Sequence, residues 1–121
     1  MRLTGDYIFC GILNTKWTVE TLNEIVDAEV ESLPADMRAQ LAHIAKLIGE
    51  MGLKRVGEPR VKHPDGRVWE MWLKGRSGIS RALYVVATGW RVVIVRVFIR
   101  KTQKTPRREI DLALSRAQAL L

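Results

Sequence analysis

The sequence predicts an α+β domain: a two-helix hairpin packed on an antiparallel sheet of three to four strands, with a C-terminal helix. Three observations carry this. Two apolar stripes of helical spacing lie in the first half, divided by Pro34. Strand-like stretches follow Gly57, separated by short turns rich in glycine. A last helical stripe begins beyond Pro106.

Lys16–Val19 reads as a short strand, because Thr18 and Val19 favour extended backbone. From Glu20 to Leu33, the residues Leu22, Val26, Val30 and Leu33 fall on one helical face. Glu20, Glu24, Asp27, Glu29 and Glu31 cover the other sides. Pro34 ends that helix and suits the first turn of a second, running to Met51 on Met37, Leu41, Ile44, Ile48 and Met51. Gly52 can close it in a left-handed conformation. So short a break implies an antiparallel helical hairpin.

Pro59–His63 reads as a strand and Pro64-Asp65-Gly66 as a turn. In Val68–Lys74, alternation sends Trp69, Met71 and Leu73 one way and Val68, Glu70, Trp72 and Lys74 the other. Ile79–Ala87 is the next strand, entered through the turn Gly75–Gly78 and left through Thr88-Gly89. In Arg91–Lys101 the odd positions Val93, Val95, Val97 and Ile99 form one apolar face, and the even positions end in Arg96, Phe98 and Arg100. Short turns imply a meander. Thr105 caps the last helix, with Pro106 at its first position and Ile110, Leu114, Ala117 and Leu121 as its buried stripe. All helices are expected on one sheet face, leaving the other free to be polar.

At 121 residues the chain has room for one domain and its own core. It carries 20 Lys+Arg against 13 Asp+Glu, a net charge of +7. Residues 1–50 hold a net −4 and residues 51–121 a net +11. That asymmetry points to a polyanionic partner for the second part; the bland reading is a solvated surface. Cys10 is the lone cysteine, and His43 and His63 lack a metal-ligand spacing, so neither metal nor other cofactor is expected. No apolar run approaches the roughly 20 residues of a membrane span. The start of the chain lacks the pattern of a signal peptide, so the expected compartment is the cytoplasm.

The expected free face carries Glu70, Trp72, Lys74, Arg96, Phe98 and Arg100. Arg81 joins them if it points outward, which period alone does not fix because both parities of its strand are apolar. Aromatics interleaved with cations suit single-stranded nucleic acid: bases stack while Lys and Arg hold phosphates. The alternatives are a covered sheet residue for Phe98 and edge-protecting charge for Arg96 and Arg100. The segment from Arg100 through Lys101, Lys104, Arg107 and Arg108 places five basic residues in nine positions at a helix start. A helix N-terminus ordinarily favours acidic residues, so this cluster suggests a phosphate site; otherwise Glu109 and Asp111 simply balance it. RNA cleavage needs no metal in principle. The 2′-OH attacks the adjacent phosphorus when a base takes its proton, and cations stabilise the phosphorane. Glu70 is the candidate base, or else the ion-pair partner that orients Arg81 or Arg96. Arg81, Arg96 and Arg100 are the candidate phosphate stabilisers. Tyr84 is an acid only if its strand is bulged, and otherwise core.

Four stretches stand out: Leu33-Pro34-x-Asp36-x-Arg38, Trp69-Glu70-Met71, Gly78-Ile79-Ser80-Arg81-Ala82-Leu83-Tyr84, and Phe98-Ile99-Arg100-Lys101-Thr102-Gln103-Lys104-Thr105-Pro106-x-x-Glu109-Ile110. In these motifs residues Trp17–Leu120 resemble the RelE/HigB superfamily of type II toxins, most closely its phage-derived HigB-like branch. The resemblance implies a RelE-like domain over 17–121, with 1–16 as an N-terminal extension. It implies a toxin that cleaves mRNA on the ribosome, and a cognate antitoxin of helix-turn-helix type. Arg81 falls on the strand arginine used near the scissile phosphate, Arg100 and Lys101 on the basic pair, and Glu70 on the recurrent glutamate. Trp72, Arg96 and Val97 depart from the arginine, histidine and small residue usual at those positions. The other readings are a catalytically idle RNA- or ribosome-binding module of the same fold, and a protein whose basic surface holds an acidic partner.

Overall fold

A computed structural model of the chain describes residues 16–52, 61–65, 67–100 and 104–120. The elements are β1 (Thr18–Thr21), α1 (Glu24–Glu31), α2 (Ala35–Met51), β2 (Val61–Asp65), β3 (Val68–Gly75), β4 (Gly78–Ala87), β5 (Arg91–Ile99) and α3 (Arg107–Ala117), which runs into a short 3₁₀ turn, Gln118–Leu120. The sheet order is β1-β5-β4-β3-β2. β2 to β5 form an antiparallel meander, and β1 adds parallel to β5. No helix among the described residues is long and apolar enough to cross a membrane.

The first helix starts later than its stripe suggests. Asn23 is extended, and its side-chain oxygen accepts from the N–H groups of Ile25 and Val26 at 3.1 and 3.2 Å. That cap satisfies two N–H groups that have no partner within the helix. Residues 18–21, rich in β-formers, pair with β5 instead. The α2 stripe is as the spacing predicts: Met37, Leu41, Ile44 and Ile48 are buried. Gly52 closes α2 with a positive φ of 86°. Asp65 pairs with Val68, so β2 runs through Pro64 rather than turning there. An irregular register at a sheet edge is where proline is tolerated.

The expectation that every helix lies on one sheet face is overturned. α1 and α2 cover one face, over Met71, Leu73, Ala82, Tyr84, Val92, Ile94 and Val97. α3 covers part of the other, with Ala113 and Ala117 against Leu83, Val85, Val93 and Val95. The helix stripe is Ile110, Ala113 and Ala117, with Leu114 only partly buried; Leu121 lies outside the described residues. β5 serves both faces through a bulge. Leu83 pairs with Arg96 and Tyr84 with Ile94, so Val95 has no partner across the ladder. Before the bulge the odd residues face α3; after it, Val97 faces the other way.

Asp36, at the start of α2, holds the β3–β4 turn by accepting the Arg76 N–H at 2.7 Å. A Cβ on Gly75 would lie 2.8 Å from both Asp36 carboxylate oxygens and from Met37 Cγ. Gly75→Ala is therefore expected to destabilise the fold by about 1–3 kcal/mol through overpacking, read by urea unfolding. An unchanged midpoint would show that α2 yields at this contact.

Candidate functional site

Period-two alternation and strand register together assemble the site on the face that α3 partly covers. Glu70 lies opposite Leu83, which lies opposite Arg96. One row along, Trp72 lies opposite Arg81 and Arg81 opposite Phe98. Lys74 lies opposite Ile79, whose carbonyl accepts the Arg100 N–H at 2.8 Å. The face of Arg81 is thereby settled: it shares the surface of Glu70, Trp72 and Phe98.

Glu70 and Arg81 are not open to solvent, being 2% and 3% exposed. Trp72 Nε1–H donates to Glu70 Oε1 at 2.7 Å, and the Thr105 hydroxyl donates to Glu70 Oε2 at 2.5 Å. Arg81 Nη1 donates in turn to Thr105 Oγ1 and stands 3.9 Å from Glu70 Oε2. Burial pushes the Arg81 guanidinium below its ordinary pKa, Glu70 raises it, and nearby Arg100 lowers it. An arginine so placed keeps its charge, because the group starts far above neutrality. Glu70 is thus no exposed base. Both its oxygens accept hydrogen bonds, which fits the orienting partner of Arg81. Thr105 does not cap α3; Pro106 holds the cap position and no side chain bonds there.

Arg96 is also held by partners. Its Nε and Nη2 donate to Glu109 at 2.7 and 3.2 Å, and its Nη1 to Glu29 at 2.8 Å. The bonds to Glu109, then the field of Glu29, raise its pKa. Glu29 also receives Arg116 Nη1 and the Val97 N–H, at 3.1 and 3.0 Å. The guanidinium is compensated by two carboxylates, lies 5.7 Å from the centre of the Phe98 ring, and ties α3 to β5 and α1.

An open cleft of about 340 Å³ lies where β5 ends and α3 begins. Arg81, Arg100, Arg108, Arg96 and Phe98 line it, with Glu29 and Glu109 on its wall. Arg100, Trp72 and Phe98 are half-buried; Lys74, Lys104, Arg107 and Arg108 are exposed. Arg107 does not line this cleft and pairs with Asp111 at 3.0 Å. So Arg108, not Arg107, is the cleft cation from that turn; Asp111 pairs with Arg107, while Glu109 pairs with Arg96 of β5. Lys101 lies outside the described residues. Tyr84 is buried on the opposite face, where burial raises its pKa, so it is core and not an acid. His43 is exposed on α2. Among the described residues, no three His, Cys, Asp or Glu side chains are placed to hold a metal.

Sequence reasoning missed Thr105 and Glu29 as parts of this site. Thr105 before a proline reads as a cap, and Glu29 reads as one more acid on a solvated helix side. Arg108 was legible as one of the basic residues of the first turn.

Residues 28–118 match the sequence pattern of phage-derived Gp49-like proteins. Among curated proteins, none matches the chain. The match spans the second half of α1 through α3 and therefore includes every charged group of the cleft and of the buried node beside it. The chain belongs to the phage-derived Gp49-like family, which is related to the RelE toxin superfamily.

Proposed function

We propose that the protein is the toxin of a type II toxin–antitoxin pair, a metal-independent endoribonuclease that cuts mRNA on the ribosome and inhibits translation. One observation supports this above the others: the row Trp72–Arg81–Phe98 ends at a cleft where Arg81, Arg100 and Arg108 converge. Cations gathered in a cleft suit a phosphate whose negative charge grows in the transition state. Arg81, fixed by Thr105 and Glu70, is preorganised for that task, and Arg100 adds a second positive charge. Trp72 and Phe98 offer ring surface for bases, and Lys74, Lys101, Lys104, Arg107 and Arg108 offer a path for the backbone. Glu70 and Arg96 position these groups and touch no RNA.

The family implies an antitoxin partner, which we take to be a helix-turn-helix protein, and we take the site of action to be the cytoplasm. We place the toxin domain at 17–121, with 1–16 as an extension; the pairing of β1 with β5 at the sheet edge supports that start. The second reading is an idle RNA- or ribosome-binding module. Its support is that Glu29, Glu70 and Glu109 each already accept hydrogen bonds.

Induced expression in a bacterial host is expected to arrest growth. Arg81→Lys, which keeps the charge but loses the planar fork, is expected to relieve the arrest at equal protein level. Unchanged growth and translation with the wild-type protein would end the toxin reading.

A further inference from the structure

Thr105 stands between the two charges of the buried pair. Its proton goes to Glu70 Oε2 and its oxygen receives Arg81 Nη1–H. The direct Arg81–Glu70 separation is 3.9 Å, longer than the roughly 2.7–2.9 Å of a contact ion pair. Opposite charges in a low-dielectric site attract strongly, so the gap needs something to hold it open. The inserted hydroxyl does this by bonding both sides.

Arg81 belongs both to the node and to the cleft wall. Closing onto Glu70 would move the guanidinium by about 1 Å relative to the cleft it lines, the difference between the present separation and contact. Thr105 is itself held in place. It is 7% exposed, and the next residue, Pro106, begins the turn of α3 that Glu109 bonds to Arg96.

We propose that Thr105 is a positioning residue: its hydroxyl keeps Arg81 turned to the cleft, where an RNA phosphate binds, by preventing collapse onto Glu70. The proposal rests on reading the cleft as the RNA site. Arg96, by docking α3, acts one step behind Thr105.

The test compares Thr105→Val, which keeps the shape and removes the hydroxyl, with Thr105→Ser, which restores it. In a translating extract, Thr105→Val is expected to slow mRNA cleavage by about 10- to 100-fold, the usual effect of a misplacement near 1 Å. Thr105→Ser is expected to stay within about threefold of wild type, since the hydroxyl returns. The Arg81 Nε–H resonance of the ¹⁵N-labelled protein gives a readout free of activity. It is expected to shift in Thr105→Val and to hold its place in Thr105→Ser. Equal shifts in both variants, or none in Thr105→Val, would overturn the proposal. So would wild-type cleavage by Thr105→Val. If the wild-type protein cuts no mRNA, the endonuclease reading fails, while the Arg81 resonance still decides the role of Thr105.

Discussion

Glu70→Ala is expected to lower the unfolding free energy by about 3–5 kcal/mol, the cost of stranding a buried charge. Two donors lose their acceptor together, the Trp72 Nε1–H and the Thr105 hydroxyl, and Arg81 keeps its charge but loses its nearby anion. Removing both charges, with Glu70→Leu and Arg81→Met, is expected to recover most of the loss, because a buried pair is often no better than well-packed apolar side chains. Urea unfolding of the two single variants and the double variant gives the cycle. A single-variant cost below about 1 kcal/mol would mean that water reaches the node and compensates it.

Glu29→Ala is expected to cost about 2–4 kcal/mol, from charge-assisted hydrogen bonds that do not add independently. The reason lies at the sheet edge. β1 stops at Thr21, opposite Ile94, and among the described residues no strand covers the outer side of β5 beyond that point. Side chains take over: Arg116 Nη1 donates to the Val95 carbonyl at 2.9 Å, and Glu29 accepts the Val97 N–H. The same carboxylate holds Arg96 and Arg116. In Glu29→Ala the Val97 amide is expected to exchange with solvent faster than that of its neighbour across the ladder, Ala82. Unchanged Val97 exchange would show that Glu29 does not carry this edge.

Much of the fold can be read from periodicity where a segment buries one face. Met37, Leu41, Ile44 and Ile48 show α2 directly, and alternation in β3 separates Trp69, Met71 and Leu73 from Glu70 and Trp72. Periodicity misleads where a competing local interaction decides. Leu22 continues the apolar stripe of α1, yet Asn23 sets the helix start by capping it. Val93, Val95, Val97 and Ile99 look like one face, yet the extra residue at Val95 reverses the parity beyond it. The covered second face had a signal of its own. Both parities of β4 are apolar, as expected of a strand buried on both sides.

The candidate site divides along the same line. Alternation alone brings Glu70, Trp72, Phe98 and Arg96 to one surface, and strand register adds Arg81. It says nothing of what each group bonds. The partner of Arg96 in α1 is 67 residues away, and Thr105 reaches Glu70 across 35. Such pairings arise from packing between elements, so residues that read as exposed chemical groups turn out to be supports for others.

Mapping mRNA 5′ ends in a translating extract tests the mRNA-cleavage reading most directly. Wild-type protein is expected to create new ends inside translated frames. These ends are expected to vanish when initiation is blocked and to fall sharply with Arg81→Lys. Inhibited translation without new ends, or undiminished cutting by Arg81→Lys, would contradict an endonuclease built around Arg81.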